Sequence, residues 1–163
     1  MKEILNIALV AHDSRKKEII DWVRFNSDLL KGHNLYATGT TGKLISELSI
    51  EVSQDDDTAL VTHPFRDKVH LLLSGPLGGD QQIGAMIATG QIDMLIFFCD
   101  NLVMQGHQND VSALSRLASL YNIAFATNRT TADMLLTSAL LGNEGYERKI
   151  PSCIQAYANR SVK

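Results

Sequence analysis

Ile4-Leu5-Asn6-Ile7-Ala8-Leu9-Val10-Ala11 is an apolar run of strand length, and Leu35-Tyr36-Ala37 is a second, shorter one. Ser14 to Lys31, between them, carries apolar residues at Ile19, Ile20, Val23 and Leu30. Ile19 to Val23 is an i,i+4 step and Val23 to Leu30 an i,i+7 step, so these residues share one helix face. Gly32 stands where a C-terminal cap belongs. Strand, helix, strand in this order is a βαβ unit, which requires parallel pairing.

The pattern continues outward. Lys43 to Leu48 reads as a helix opened by a Thr/Gly loop. Val69 to Leu73 is a third strand, Asp80 to Thr89 a helix stopped by Gly90, and Ile92 to Cys99 a fourth strand. Val111, Leu114, Leu117, Ala118 and Tyr121 mark another helix, Ile123 to Ala126 a fifth strand, and Thr131 to Leu141 a last helix. The expected fold is α/β: a three-layer α/β/α arrangement around an open, mostly parallel five-stranded sheet, in one domain over residues 1–163. The stretch 51–68, with Asp55-Asp56-Asp57 and His63-Pro64, breaks the rhythm and reads as an exposed insertion or a small hairpin. The tail after Gly145 reads as irregular.

Composition narrows the function classes. Fifteen Lys and Arg against eighteen Asp and Glu leave a net charge of −3, which argues against a general nucleic-acid binder. No apolar run approaches the roughly 18 residues of a membrane helix, and Met1 to Asn6 has no signal-peptide pattern. Two distant cysteines, Cys99 and Cys153, favour neither a disulfide scaffold nor a structural zinc, so a reducing cytoplasm is expected.

The unusual polar clusters each follow a strand: His12-Asp13, Thr38-Gly39-Thr40-Thr41-Gly42, Ser74 to Asp80, Asp100, and Thr127-Asn128. In an open parallel sheet these positions share the edge where ligands bind. The Thr/Gly run combines close backbone approach, hydroxyl donors and a helix start, which suit a phosphate or a plain polar turn. It is not a Walker loop, because Ala37 replaces the upstream glycine and Leu44 the Ser or Thr after Lys43. Asp80, among glycines at a helix start, is either an N-cap or a general base. Asp13 is a cap or a site residue, His12 a core histidine or a ligand contact, and Lys16 an exposed lysine or a phosphate cation. Asp100, His107 and Asp110 together offer two carboxylates and an imidazole, enough for proton transfer. His33, His63 and His70 follow no strand and read as surface or structural, and Cys99 reads as core.

Val10-Ala11-His12-Asp13, Tyr36 to Gly42, Ser74 to Gln82 (SGPLGGDQQ), Asp93 to Phe98 and Ala126-Thr127-Asn128 resemble, in that order, the methylglyoxal synthase family over about Asn6 to Asp133. The resemblance implies a lyase that converts dihydroxyacetone phosphate to methylglyoxal and phosphate, without metal or organic cofactor. Carried over by position, Asp80 is the general base, His107 and His12 bind substrate oxygens, and Asp110 assists proton transfer. Asp13 and Asp100 line the site. Lys16, Thr38, Thr40, Thr41, Ser74 and Gly75 hold the phosphate, joined by Arg160 near the C-terminus. Phosphate is then both product and inhibitor, and the assembly a homo-oligomer, a hexamer by resemblance, without nucleic acid or membrane. Two departures stand out. Cys99-Asp100-Asn101 replaces the family's Trp-Asp-Pro, and His107-Gln108-Asn109-Asp110 replaces His-Asp-Pro-Asp, which loosens the loop before Asp110. The 51–68 insertion is a third. An anion-sensing, non-catalytic domain and a phosphosugar isomerase sharing the enediolate are the alternatives.

Overall fold

A computed structural model describes residues 3–55, 58–102 and 108–160 of the chain. In chain order the elements are β1 (Asn6–Ala11), α1 (Lys16–Phe25), α2 (Ser27–Leu30), β2 (Asn34–Thr38), α3 (Gly39–Ser46), β3 (Ile50–Asp55), β4 (Thr58–Thr62) and β5 (Val69–Leu72). There follow α4 (Gly79–Ala88), β6 (Met94–Phe98), α5 (Gln108–Leu120), β7 (Ala124–Ala126), α6 (Arg129–Leu136) and α7 (Ser152–Ala158). Five strands form one sheet in the order β5-β2-β1-β6-β7, with every pairing parallel. The chain moves from β1 to β2 on one side and later to β6 on the other. The order therefore reverses beside β1, and a crevice opens at the carboxyl ends of the strands there.

Alternation along the central strands builds two cores. Ile7 and Leu9 of β1, with Met94, Ile96 and Phe98 of β6, pack with Ile19, Trp22 and Val23 of α1, Ile45 of α3 and Leu136 of α6. Ala8, Val10, Leu95 and Phe97 face the other way, onto Ile83 and Ile87 of α4 and Leu114 and Ala118 of α5. Strands buried on both faces read as unbroken apolar runs, as ILNIALVA and MLIFF do. Trp22 is fully buried, and its indole N–H is satisfied by Asp133 Oδ1 at 2.7 Å, which ties α1 to α6.

Several element boundaries differ from those read in the sequence. The helix expected over 14–31 opens with a 3-10 turn at Asp13–Arg15 and breaks at Asn26. There the Asn26 amide donates to Trp22 O at 3.1 Å and to Asp133 Oδ1 at 3.3 Å instead of facing solvent. The helix expected from Lys43 starts at Gly39, so the Thr/Gly run is the helix's first turn rather than a loop before it. α6 starts two residues early, because Asn128 Oδ1 accepts the Thr131 N–H at 3.0 Å as an N-cap. It ends by Thr137, short of the expected Leu141. The tail is not wholly irregular either: α7 forms just after Pro151, whose fixed φ suits a helix entrance. The 51–68 stretch holds an antiparallel hairpin, β3–β4, separate from the main sheet. Asp56 and Asp57 lie outside the described residues.

Candidate active site

A cavity of about 440 Å³ opens at the carboxyl ends of β1, β2, β5 and β6. It collects His12, Asp13, Lys16, Thr38, Thr40, Thr41, Ser74, Gly75, Asp80 and Asp110 from separate stretches of chain. Val10, Ala11, Gly39, Pro76 and Phe97 complete its wall. Gly39 and Pro76 belong to the two loops singled out in the sequence, whereas Val10, Ala11 and Phe97 lie in strand runs and carry no polar signal.

One side is built for an anion. Thr38 leaves β2 in an extended conformation and its side chain makes no capping hydrogen bond, and Gly39, Thr40 and Thr41 of the first turn of α3 line the cavity at the positive end of the helix. Gly39 adopts φ +45, and a Cβ there would stand 2.8 Å from the Ser74 Cβ. Only glycine lets the α3 turn and the Ser74 loop close on each other. Lys16, one-quarter exposed, reaches the same cavity and pairs with Asp13 Oδ1 at 2.5 Å. Asp13 itself is almost fully exposed, so this pair leaves Lys16 available to a stronger anion.

The opposite side carries Asp80. It sits in the first turn of α4, only 2% exposed. The preceding loop is held as tightly as backbone allows: a Cβ at Gly79 would lie 2.0 Å from Leu73 O. A Cβ at Gly75 would lie 3.0 Å from Asp80 Oδ2, so the carboxylate rests on bare backbone. Nearby, burial and then the Asp80 charge push the Cys99 thiol up to about 11, so Cys99 remains a neutral thiol at neutral pH. It donates to Phe97 O at 3.4 Å and is a core residue, as its strand-end position suggested.

His12 is buried and stands between the two sides. Its Nδ1 accepts the Asp100 N–H at 2.8 Å, which in the neutral ring leaves the proton on Nε2. The Phe97 ring meets it edge-on, with centroids 5.1 Å apart. Asp100 does not line the cavity. It stands behind His12, its carboxylate accepting Ser14 Oγ–H at 2.5 Å and the Leu102 N–H at 3.0 Å. Ser14 had no place in the sequence reading, because a serine in a turn carries no signal of its own. Asp110 lies within the first turn of α5 and borders the cavity. It also borders a second, shallower groove between α4 and α5, shared with Asp80.

One residue expected to hold the phosphate is not among those that line the cavity. Arg160 lies just beyond α7 with its guanidinium 3.7 Å from the Tyr157 ring centroid, away from the cavity-lining residues. Earlier in the tail, Asn122 Nδ2 donates to Lys149 O at 3.0 Å, and Arg148 donates to Ile92 O at 3.4 Å. His107 lies outside the described residues. Two of the remaining histidines make structural contacts. His33 Nδ1 accepts the Leu5 N–H at 3.3 Å, and His70 stacks on Tyr36 with ring centroids 4.5 Å apart.

Comparison with known proteins gives concordant findings. A family model, the MGS-like domain, matches residues 18–127. Methylglyoxal synthase of Maridesulfovibrio salexigens is 50% identical over 150 residues, 91% of this chain and 92% of that one. Methylglyoxal synthase of Proteus mirabilis is 49% identical over 159 residues, 97% of this chain and 92% of that one. The crystal structure of methylglyoxal synthase from Elizabethkingia anophelis NUHP1 superposes with a TM-score of 0.80 at 41% identity, over 100% of this chain and 95% of that one.

Proposed function

The chain belongs to the methylglyoxal synthase-like family, and from that premise we propose that it is itself a methylglyoxal synthase. It acts as a lyase on dihydroxyacetone phosphate, releasing methylglyoxal and inorganic phosphate. The observation that carries this reading is the pairing, across one cavity, of an uncapped helix start with the buried carboxylate of Asp80.

The phosphate group binds against the α3 amides, with Thr38, Thr40, Thr41, Ser74 and Lys16 as its other donors and Gly75 giving it close backbone approach. Asp80 takes a proton from the hydroxymethyl carbon. The C–H electrons form a carbon–carbon double bond, and the carbonyl oxygen gains the negative charge of an enediolate. The His12 Nε2–H donates to that oxygen, where charge develops, and His107 is assigned the same task by the resemblance. The enediolate's hydroxyl proton passes to the departing phosphate as that oxygen becomes the aldehyde, the double bond shifts towards the phosphate-bearing carbon, and the C–O bond breaks with its electron pair on the phosphate. The enolate left behind takes a proton on its terminal carbon and becomes methylglyoxal. Asp110, at the rim, assists these proton movements, and Asp13 tunes Lys16. Excluding water from the cavity strengthens each of these interactions.

One homo-oligomeric domain in the cytoplasm completes the reading. Two free thiols suit a reducing compartment. Exposed Leu71 and Leu73, on and just after edge strand β5, suit burial against another subunit. Purified protein incubated metal-free with dihydroxyacetone phosphate is expected to release methylglyoxal and phosphate in equal amounts, and Asp80→Asn to abolish both. Phosphate binding without release would mark an anion sensor, and glyceraldehyde 3-phosphate as the product would mark an isomerase. Either result refutes the proposal.

A further inference from the structure

His12 and Ser14 are two residues apart and both fasten to Asp100, by different means. The His12 ring accepts from the Asp100 main chain, and the Ser14 hydroxyl donates to Asp100 Oδ2. The other carboxylate oxygen, Oδ1, accepts the Leu102 N–H. We propose that Ser14 is a positioning residue for the reaction: by clamping Asp100 it fixes the peptide N–H that sets the tautomer and orientation of His12.

The reason lies in where Asp100 stands. β6 ends at Phe98, whose carbonyl accepts the His12 N–H at 3.2 Å and closes the β1–β6 ladder. Beyond it the Cys99 N–H donates to Thr127 O at 3.3 Å, and the Asp100 N–H turns to the His12 ring. Asn101 follows Asp100 without a proline to restrict the backbone, and Leu102 is 96% exposed, so packing holds Asp100 but not the end of the segment. The Asp100 side chain, tied to Ser14 Oγ and to the Leu102 N–H, is then a restraint on the orientation of its own N–H. Ser14 sits in the 3-10 turn that leads from His12 into α1, a rigid mount, so the clamp joins the start of the 100–102 segment to the same element that carries the histidine. Nδ1 accepts a hydrogen bond only while unprotonated, so a fixed Asp100 N–H holds the ring proton on Nε2. A displaced N–H lets the other tautomer in, and that ring presents a lone pair where a donor is needed.

This rests on His12 donating to the substrate, as proposed above, and the test separates the two. Wild type, Ser14→Ala and Ser14→Thr are compared by steady-state kinetics with dihydroxyacetone phosphate and by the ¹⁵N imidazole shifts of His12. Ser14→Ala is expected to lower kcat about tenfold with KM within about twofold, because the phosphate contacts are intact. Its His12 signals move from the Nε2–H pattern towards a mixture, and Ser14→Thr restores both readouts. Unchanged His12 shifts in Ser14→Ala overturn the positioning role even if no variant, nor the wild type, makes methylglyoxal. A rise in KM at constant kcat overturns it as well.

Discussion

The Gly75 backbone bears directly on the Asp80 carboxylate: a methyl group added at Gly75 would stand 3.0 Å from Oδ2 and 3.1 Å from Oδ1. Both distances are inside ordinary van der Waals contact. Because α4 and the Leu73 carbonyl hold the loop in place, the carboxylate rather than the backbone has to yield. Gly75→Ala is therefore expected to fold, and to lose about tenfold or more in kcat through misplacement of the base. Steady-state kinetics together with a thermal melt check this; unaltered kcat with a folded protein contradicts the placement of Asp80 as base.

Gly79 makes a sharper demand. A Cβ there would lie 2.0 Å from Leu73 O, a backbone atom that no side-chain rotation can move. Gly79→Ala should destabilise the protein by about 3 kcal/mol or more, at the severe end for a single substitution. Gly90→Ala is a useful contrast, since its Cβ would meet nothing within 4 Å but its φ of +74 still costs backbone strain. Urea unfolding of both variants should place Gly79→Ala well below Gly90→Ala.

Lys16 is the cation of the anion side and touches no atom assigned to proton transfer. Lys16→Met should raise KM about tenfold, the equivalent of roughly 1.4 kcal/mol, and weaken inhibition by inorganic phosphate by a similar factor. Added salt should narrow the gap between variant and wild type, because part of the attraction is screened. A fall in kcat at constant KM would assign Lys16 to the chemical step instead.

Cys99 provides a pH prediction. Burial, then the Asp80 charge, raises its thiol from an ordinary 9.0 to about 11. The unfolded chain loses this proton first as pH rises. The contribution to stability is thus fully present below about pH 9 and is lost progressively up to about pH 11. Asp80→Asn removes the second cause and should lower the thiol's titration, without reaching 9.0, because burial remains. Native protein treated with a thiol reagent near pH 8 should label exposed Cys153 and spare Cys99.

Much of the fold was legible because periodicity is a local property. ILNIALVA, MLIFF and the i,i+4 spacings of α1 state their burial without reference to the rest of the chain, and their alternation requires parallel pairing. The position of the site followed from the same logic, since polar clusters after parallel strands meet at one edge. Helix boundaries were less legible. Whether Gly39 to Gly42 coils or joins α3 depends on how closely Ser74 packs against Gly39, 35 positions along the chain.

What the sequence by itself determined is the set of chemical groups and the edge at which they gather. Tertiary structure alone decided which of them act together. His12 and Asp100 are 88 positions apart, and they meet because β1 pairs with β6 in the register Ala11 to Phe98, which brings the residues after each strand side by side. Ser14 joins them for the same reason, and Arg160 lies over the Tyr157 ring and is not among the residues that line the cavity. A hydrogen bond needs its partners within about 3 Å, and only the register of the sheet and the path of the chain set distances between groups so far apart in sequence.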